Sequence, residues 1–324
     1  MRAITQSEFG TPEVLKLEEV DEPEPAEDEV LVRVHASSVN PFDWHVMTGV
    51  PYLARIETGW RKPKTGRLGV DFAGVVDAVG AKVTRFEPGQ EVFGGRSGSL
   101  AELVPVREER GVAHKPAGVS FEQAASIGIA GGTALQGLRK GGLAPGKHVL
   151  VNGASGGVGT FAVQIAKATG AEVTGVCSPR NVEQTSSLGA DHVIDYTQED
   201  FTRNGVRYDL VLDNVGNHPW SDHRRALSDD GALVVVSGPK KNRWIGPLGA
   251  MLSVRLRAMR DSRTVVAPFM ANLNPDDLRE IAELIEAGKI TPAIERRYPL
   301  EEVPEAMRYM GEGHARGKLI VNVR

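Results

Sequence analysis

The stretch His148-Val149-Leu150-Val151-Asn152-Gly153-Ala154-Ser155-Gly156-Gly157-Val158-Gly159 constrains this chain more than any other. An apolar run ends in a glycine-rich turn, a helical pattern follows from Gly157 to Ala168, and a second apolar run, Glu172 to Cys177, comes next. Strand, tight turn, helix and strand make a βαβ unit, whose two strands pair in parallel through a right-handed crossover. The alternation continues through a helix near Val182 to Leu188, the strands His192 to Asp195 and Tyr208 to Asp213, a helix around Ser221 to Leu227, and Ala232 to Gly238. Strand and helix in strict alternation from Lys147 to about Val266 predict an α/β domain with a doubly wound parallel sheet.

Upstream, to about residue 120, the texture differs. Short β-type runs such as Glu29 to Val34 and Gly74 to Val79 are broken by turn chemistry such as Glu87-Pro88-Gly89, as in a compact all-β unit. Downstream, Asn274 can cap a helix with Pro275 at its first position, Asp276 and Asp277 in its first turn, and Leu278, Ile281, Ala282 and Ile285 as an apolar stripe ending at Gly288. A final strand, Lys318 to Val323, closes the chain. The predicted organisation is a β domain over 1–124 and 267–324, with a nucleotide-binding domain inserted over 125–266.

Composition narrows the function classes. With 38 basic and 42 acidic side chains the charge is too balanced for nucleic acid to be the main partner. Cys177 is the single cysteine, which excludes a disulfide scaffold and a zinc site built on several thiolates, and fits a reducing compartment. No apolar run reads as a secretion signal or an integral membrane span, so the expected location is the cytoplasm.

The loop from Ala154 through Ser155, Gly156, Gly157, Val158 and Gly159 has the chemistry to hold a pyrophosphate on backbone N–H groups at a helix N-terminus. Alanine stands where the common fingerprint has its first glycine, and a turn without ligand is the plain alternative. The end of the second strand selects the cofactor. NAD sites place a carboxylate there for the ribose 2′-hydroxyl, whereas this strand runs into Cys177-Ser178-Pro179-Arg180. Ser178 can donate to a 2′-phosphate and Arg180 can pair with it, which predicts NADPH; a solvated surface arginine is the alternative. Cys177 reads as packing.

Five motifs in order carry a family likeness: Ala36 to Asp43, Gly69 to Val76, Glu87 to Gly94, Ala130 to Ala134 and the glycine loop, with the ending Gly313-His314-Ala315-Arg316-Gly317-Lys318. Together they resemble the medium-chain dehydrogenase/reductase superfamily, and within it the zinc-free quinone oxidoreductase and alkenal reductase branch. The resemblance implies a GroES-like β-barrel catalytic domain, a Rossmann domain, and an active site in the cleft between them. Zinc-dependent members carry a cysteine where this chain has Asn40 and a His-Glu pair where it has Val70-Asp71, so no metal is expected.

Carried over position by position, the resemblance implies that Asn40 and Thr133 approach the nicotinamide ribose and phosphates. Ser178, Arg180 and Tyr196 would surround the 2′-phosphate, Ser237, Gly238 and Phe269 would approach the nicotinamide, and Arg316 would add a phosphate contact. Each has a plainer reading: Thr133 as a helix cap, Tyr196 as a strand-end aromatic, Phe269 as core. Family members are commonly homodimers, which sets that expectation here. Two basic stretches stand apart from the shorter quinone reductases. One is Tyr52 to Leu68, with Arg55, Arg61, Lys62, Lys64 and Arg67. In the other, Lys240, Lys241, Arg243, Arg255, Arg257, Arg260 and Arg263 interleave with Trp244, Ile245, Leu248, Met251, Leu252, Val254 and Leu256. A lid over a bulky substrate, a peripheral contact with an anionic membrane, and a solvated helix packed on its neighbour are all open readings.

Hydride delivery to a simple ketone leaves a localised alkoxide, where a metal would act as Lewis acid. A quinone or an α,β-unsaturated carbonyl instead yields a phenolate or delocalised enolate, which hydrogen-bond donors and solvent can stabilise. The expected reaction is therefore NADPH-dependent reduction of a quinone or enone, with Tyr52 or His45 as candidate proton donors and solvent as the default. Asp43 reads as a local backbone cap and Asp71 as a structural hydrogen-bond partner. The alternative is an NADPH-binding protein of this fold with little turnover.

Overall fold

The computed structural model describes all residues except Pro239, Lys240, Lys241, Arg260 and His314, and of Glu57 only the backbone. The expectations placed on Lys240, Lys241 and Arg260, and the His314 of the closing motif, lie outside the described residues. Two units divide the chain: Met1–Gly132, Leu273–Gly288 and Pro292–Arg324 form the first, and Thr133–Asn272 with Lys289–Thr291 the second.

The first unit is the GroES-like one. Its main sheet runs in the order Ile294–Pro299, Lys318–Asn322, Glu29–Val39, Asp71–Val79, Glu91–Gly95 and Val112–His114, with Leu103–Arg107 also paired to Glu29–Val39. All its pairings are antiparallel except the parallel first one. Val30, Val32 and Val34 recur every second residue and so point to one face, where Phe72, Val92, Leu319 and Val321 join them in the core. The helix Pro275–Glu286 starts as its capping chemistry dictates, with the Asp277 N–H donating to Asn274 Oδ1 at 2.9 Å.

The second unit is the doubly wound sheet. Its six strands, all parallel, lie in the order His192–Asp195, Glu172–Cys177, His148–Asn152, Tyr208–Asp213, Leu227–Val235 and Thr264–Val266. Leu150, Val176, Val211, Leu233 and Val235 form its core. Because order reverses between His148–Asn152 and Tyr208–Asp213, the carboxyl ends of these strands mark the switch point where such sheets take their ligands. Gly157–Ala168 is the helix the pattern predicts. A Cβ on Gly159 would lie 2.1 Å from the Gly153 carbonyl oxygen, so only glycine lets the helix pack this close to the loop.

One boundary moves. The helix expected to open at Thr133 begins at Gly128, and Thr133 is buried inside it. Its start is set by Asp71, whose Oδ1 accepts the Ile129 N–H at 2.8 Å and would stand 2.2 Å from a Cβ on Gly128. Inside the helix Gly131 leaves room for Ile127 and Ile281, each with an atom 3.1 Å from where a Cβ would be.

Candidate active site

Around the glycine loop, two turns are tied together by a residue the sequence reading passed over. The N–H groups of Gly153 and Ala154 both donate to the Val176 carbonyl, closing the loop onto the neighbouring strand. Behind it lies Asn181, buried at the end of the short turn Pro179–Asn181, whose Nδ2 donates to Ser155 Oγ at 2.8 Å and to Ser178 Oγ at 3.0 Å. Each serine accepts from the amide, so its own hydroxyl proton is left for another acceptor. One donor therefore comes from the glycine loop and one from the turn that follows Glu172–Cys177. Arg180 is exposed on that same turn, and the backbone N–H of the exposed Tyr196 donates to the Cys177 carbonyl at 3.2 Å, which ties the Tyr196 backbone to the end of Glu172–Cys177. Cys177 is buried, and burial pushes its thiol up, consistent with packing.

These features suit a dinucleotide phosphate. A Cβ on Gly156 would meet nothing nearer than 3.6 Å, so the loop face is open there, while helix N–H groups, two serine protons and a guanidinium supply donors to an anion.

At the switch point, Asn152 Nδ2 donates to Asp213 Oδ1 at 2.8 Å and to Asn217 Oδ1 at 3.0 Å. The N–H groups of Val215 and Gly216 donate to the same Asp213 oxygen. His223 Nε2 stands 3.2 Å from Asp213 Oδ2, close but without the alignment of a hydrogen bond. Burial pushes the Asp213 carboxyl up, but His223 and the two backbone donors outweigh it and hold the carboxyl below its usual range. Ser237 and Gly238 pack on Gly216, which has φ +67° and whose Cβ would meet the Ser237 oxygen at 2.4 Å. Asp213, Gly216, His223, Ser237 and Gly238 are among the residues that line a cavity of about 20 Å³, large enough for one water. A wider hollow of about 410 Å³, lined by Thr5, Gln6, Lys16, Glu18 and Arg67 of the first unit, holds none of the candidate site residues. Phe269 is buried, with its ring against Gly137.

In the first unit the Asn40 position is the centre of a buried polar network. Asn40 Nδ2 donates to Asp71 Oδ2 at 3.0 Å, and Asn40 Oδ1 accepts from Lys318 Nζ at 2.6 Å. Lys318 Nζ also lies 3.1 Å from Asp71 Oδ2, which accepts Ser38 Oγ–H at 2.8 Å. Asn40, Asp71 and Lys318 are all buried, so the amide is turned into the protein on both of its ends. Asp43 caps the helix Pro41–Thr48 by accepting the Asn40 N–H at 2.8 Å. Its burial, with Asp71 nearby, pushes the carboxyl up to about 7. Lys318 was invisible as a site residue, since its partner Asp71 lies 247 positions away.

On the same helix, His45 Nδ1 donates to the Val50 carbonyl at 2.6 Å, and a carbonyl that only accepts assigns the proton to Nδ1. Tyr52 follows in the turn Tyr52–Ala54, with the Arg55 guanidinium carbon 4.7 Å from its ring centroid. Arg316 is held by Glu295, which accepts its backbone N–H at 2.6 Å and its Nε at 3.3 Å. Among the described residues no three His, Cys, Asp or Glu side chains gather as a metal site.

Residues 26–119 match the family profile "Alcohol dehydrogenase GroES-like domain", and residues 188–321 match "Zinc-binding dehydrogenase". The mouse NAD(P)H oxidoreductase RTN4IP1, mitochondrial, is 39% identical across 91% of this chain and 82% of its own length. The solved quinone oxidoreductase from Coxiella burnetii superposes with a TM-score of 0.87 at 31% identity, covering 100% of this chain and 99% of that one. The Escherichia coli quinone oxidoreductase complexed with NADPH gives a TM-score of 0.83 at 26% identity, covering 99% and 100%. The fold and its glycine loop are those of a nicotinamide-dependent oxidoreductase. The chain belongs to the medium-chain dehydrogenase/reductase superfamily, in its quinone oxidoreductase-like branch.

Proposed function

We propose that this protein is a zinc-independent, NADPH-dependent reductase of quinones or α,β-unsaturated carbonyls. The observation that carries the cofactor half is the pair of serine hydroxyls, Ser155 and Ser178, held by Asn181 beside Arg180, with no carboxylate at the end of Glu172–Cys177. The donor set at the positions that hold zinc in metal-dependent members supports the rest. Asn40 and Val70 are poor zinc ligands, and both Asn40 and Asp71 are already bonded to the Lys318 ammonium.

A reduced nicotinamide, when bound, supplies the hydride. The loop Ala154 to Gly159 would hold its pyrophosphate, and Ser178, Arg180 and Tyr196 its 2′-phosphate. Positioning of the ring would fall to Ser237 and Gly238 with the buried Phe269 of the same unit, and to Thr133 at the nicotinamide ribose and phosphates, an orientation effect that is the protein's main contribution to such a transfer. The substrate is a quinone or enone because its developing negative charge is delocalised and needs only hydrogen-bond donors. The two candidate proton donors are the Tyr52 phenol and the Nε2 side of His45, whose Nδ1 proton is given to Val50.

Initial rates with NADPH on a quinone, a 2-alkenal and a primary alcohol test the reading. Turnover of either of the first two without added metal is the expected result. Alcohol turnover alone would overturn the mechanism, and NADPH-induced stabilisation without consumption on any acceptor would favour a binding protein. Arg180→Ala should weaken NADPH about 10- to 150-fold, the loss of one charge-assisted phosphate contact, and leave NADH nearly unchanged in a fluorescence titration. Equal losses for both cofactors would show that Arg180 does not read the 2′-phosphate.

A further inference from the structure

The helix Leu248–Ala258 is apolar on two faces. Met251, Val254 and Ala258 are buried in the core of the second unit. On the opposite side Leu252, Leu256 and Met259 are 51%, 56% and 74% exposed, at the i, i+4, i+7 spacing of a single stripe. Ile245 lengthens that stripe. Its Cδ1 lies 2.7 Å from where a Cβ on Gly249 would be, and residues 249, 252 and 256 share one side of a helix.

Charge frames the stripe. At about 100° per residue, Arg255 falls roughly 60° to one side of Leu252 and Arg257 roughly 140° to the other, and both are exposed. From Gly231 to Arg260 the chain has six basic residues and no acidic one, although acidic residues outnumber basic ones over its whole length. The next carboxylate, Asp261, is paired with Arg224 and Arg263.

We infer that this face docks on an anionic lipid surface. Leu252, Leu256, Met259 and Ile245 would enter the headgroup boundary while Arg255 and Arg257 lie along the lipid phosphates. A second copy of the same face is a poor occupant, because it would set arginines against arginines with no carboxylate in the segment to answer them. The helix is about 16 Å long, too short to span a bilayer, and no helix among the described residues is long and apolar enough to cross one. It would therefore lie in the plane of the surface. The inference does not depend on the cofactor or the acceptor.

Cosedimentation of the full chain at low salt with phosphatidylcholine vesicles, with and without phosphatidylglycerol, tests it. Binding should require phosphatidylglycerol and fall as salt is added. Arg255→Gln with Arg257→Gln should weaken it about 30-fold, the effect of two cations near a charged surface. Leu252→Gln with Leu256→Gln should weaken it at least about tenfold although the charge is unchanged. The leucine pair alters only exposed side chains, so its circular dichroism and thermal unfolding should match the parent. Arg255 Nη1 also donates to the Ala267 carbonyl at 3.4 Å, so Arg257→Gln alone, expected to weaken binding about fivefold, is the arginine variant whose unfolding should match. The inference is overturned by no binding to anionic vesicles, or by full binding of the Leu252→Gln, Leu256→Gln protein, which would mean charge adsorption alone. It is also overturned if that pair splits an oligomer in the absence of lipid, which would assign the face to a second copy.

Discussion

Replacing Lys318 by methionine should lower the free energy of unfolding by about 3 to 5 kcal/mol, read from urea midpoints at constant slope. The ammonium is buried between Asn40 Oδ1 and Asp71 Oδ2, so its removal leaves a carboxylate in the interior without a counter-charge and an amide oxygen without a donor. The double change Lys318→Met, Asp71→Asn should recover more than half of the loss, because neutralising the carboxylate removes the larger penalty while the Ile129 N–H can still donate to the amide oxygen and the Ser38 hydroxyl can turn to accept from the amide nitrogen. A single variant within about 1 kcal/mol of the parent would mean that water reaches the pair and that the network is not closed.

Stability should also carry a pH signature from Asp43. Its folded carboxyl sits at about 7, above the ordinary aspartate value, because burial penalises the anion. Below about pH 4 the group is protonated whether the chain is folded or not, so its contribution is then fully present. As pH rises toward and through 7, the unfolded chain releases the proton and the folded chain resists, and the contribution is lost. Each pH unit between the two values is worth about 1.4 kcal/mol, so the loss approaches about 4 kcal/mol by pH 8. Asp43→Asn keeps an acceptor for the Asn40 N–H and removes the titration. The difference between parent and variant in urea stability should fall steadily from pH 4 to 8, and a flat difference would rule out the buried carboxyl as its source.

What could be read from sequence and what could not divides along range. The helix Gly157–Ala168, the Asn274 cap and the alternation of parallel strands rest on neighbours within a few residues, and each lies where its local pattern puts it. The helix start read at Thr133 falls five residues late because the true start at Gly128 is set by Asp71, far along the chain, rather than by a local cap. Asn40 was legible as a special position from the motif around it, but not the company it keeps: an asparagine beside a distant lysine and aspartate looks the same in sequence as one that faces a ligand. Asn181 was missed for a different reason. Its value lies in fixing two serines on separate loops, and no spacing rule records which residue stands between them.

Strand Lys318–Asn322 inserts between Ile294–Pro299 and Glu29–Val39, with Leu319 opposite Val39. During translation the earlier strand must therefore wait for its partner through the whole intervening stretch, which at about 5 to 20 residues per second is roughly 15 to 60 seconds. Throughout that interval the Ala36–Val39 half of one edge has no ladder, since Leu103–Arg107 covers only Glu29–Arg33, and Asp71 has no ammonium; by its end the sheet of Thr133–Asn272 has every strand it needs. The later-encoded unit can thus be complete first, and the earlier-encoded one is the part a chaperone would most need to shield on the ribosome.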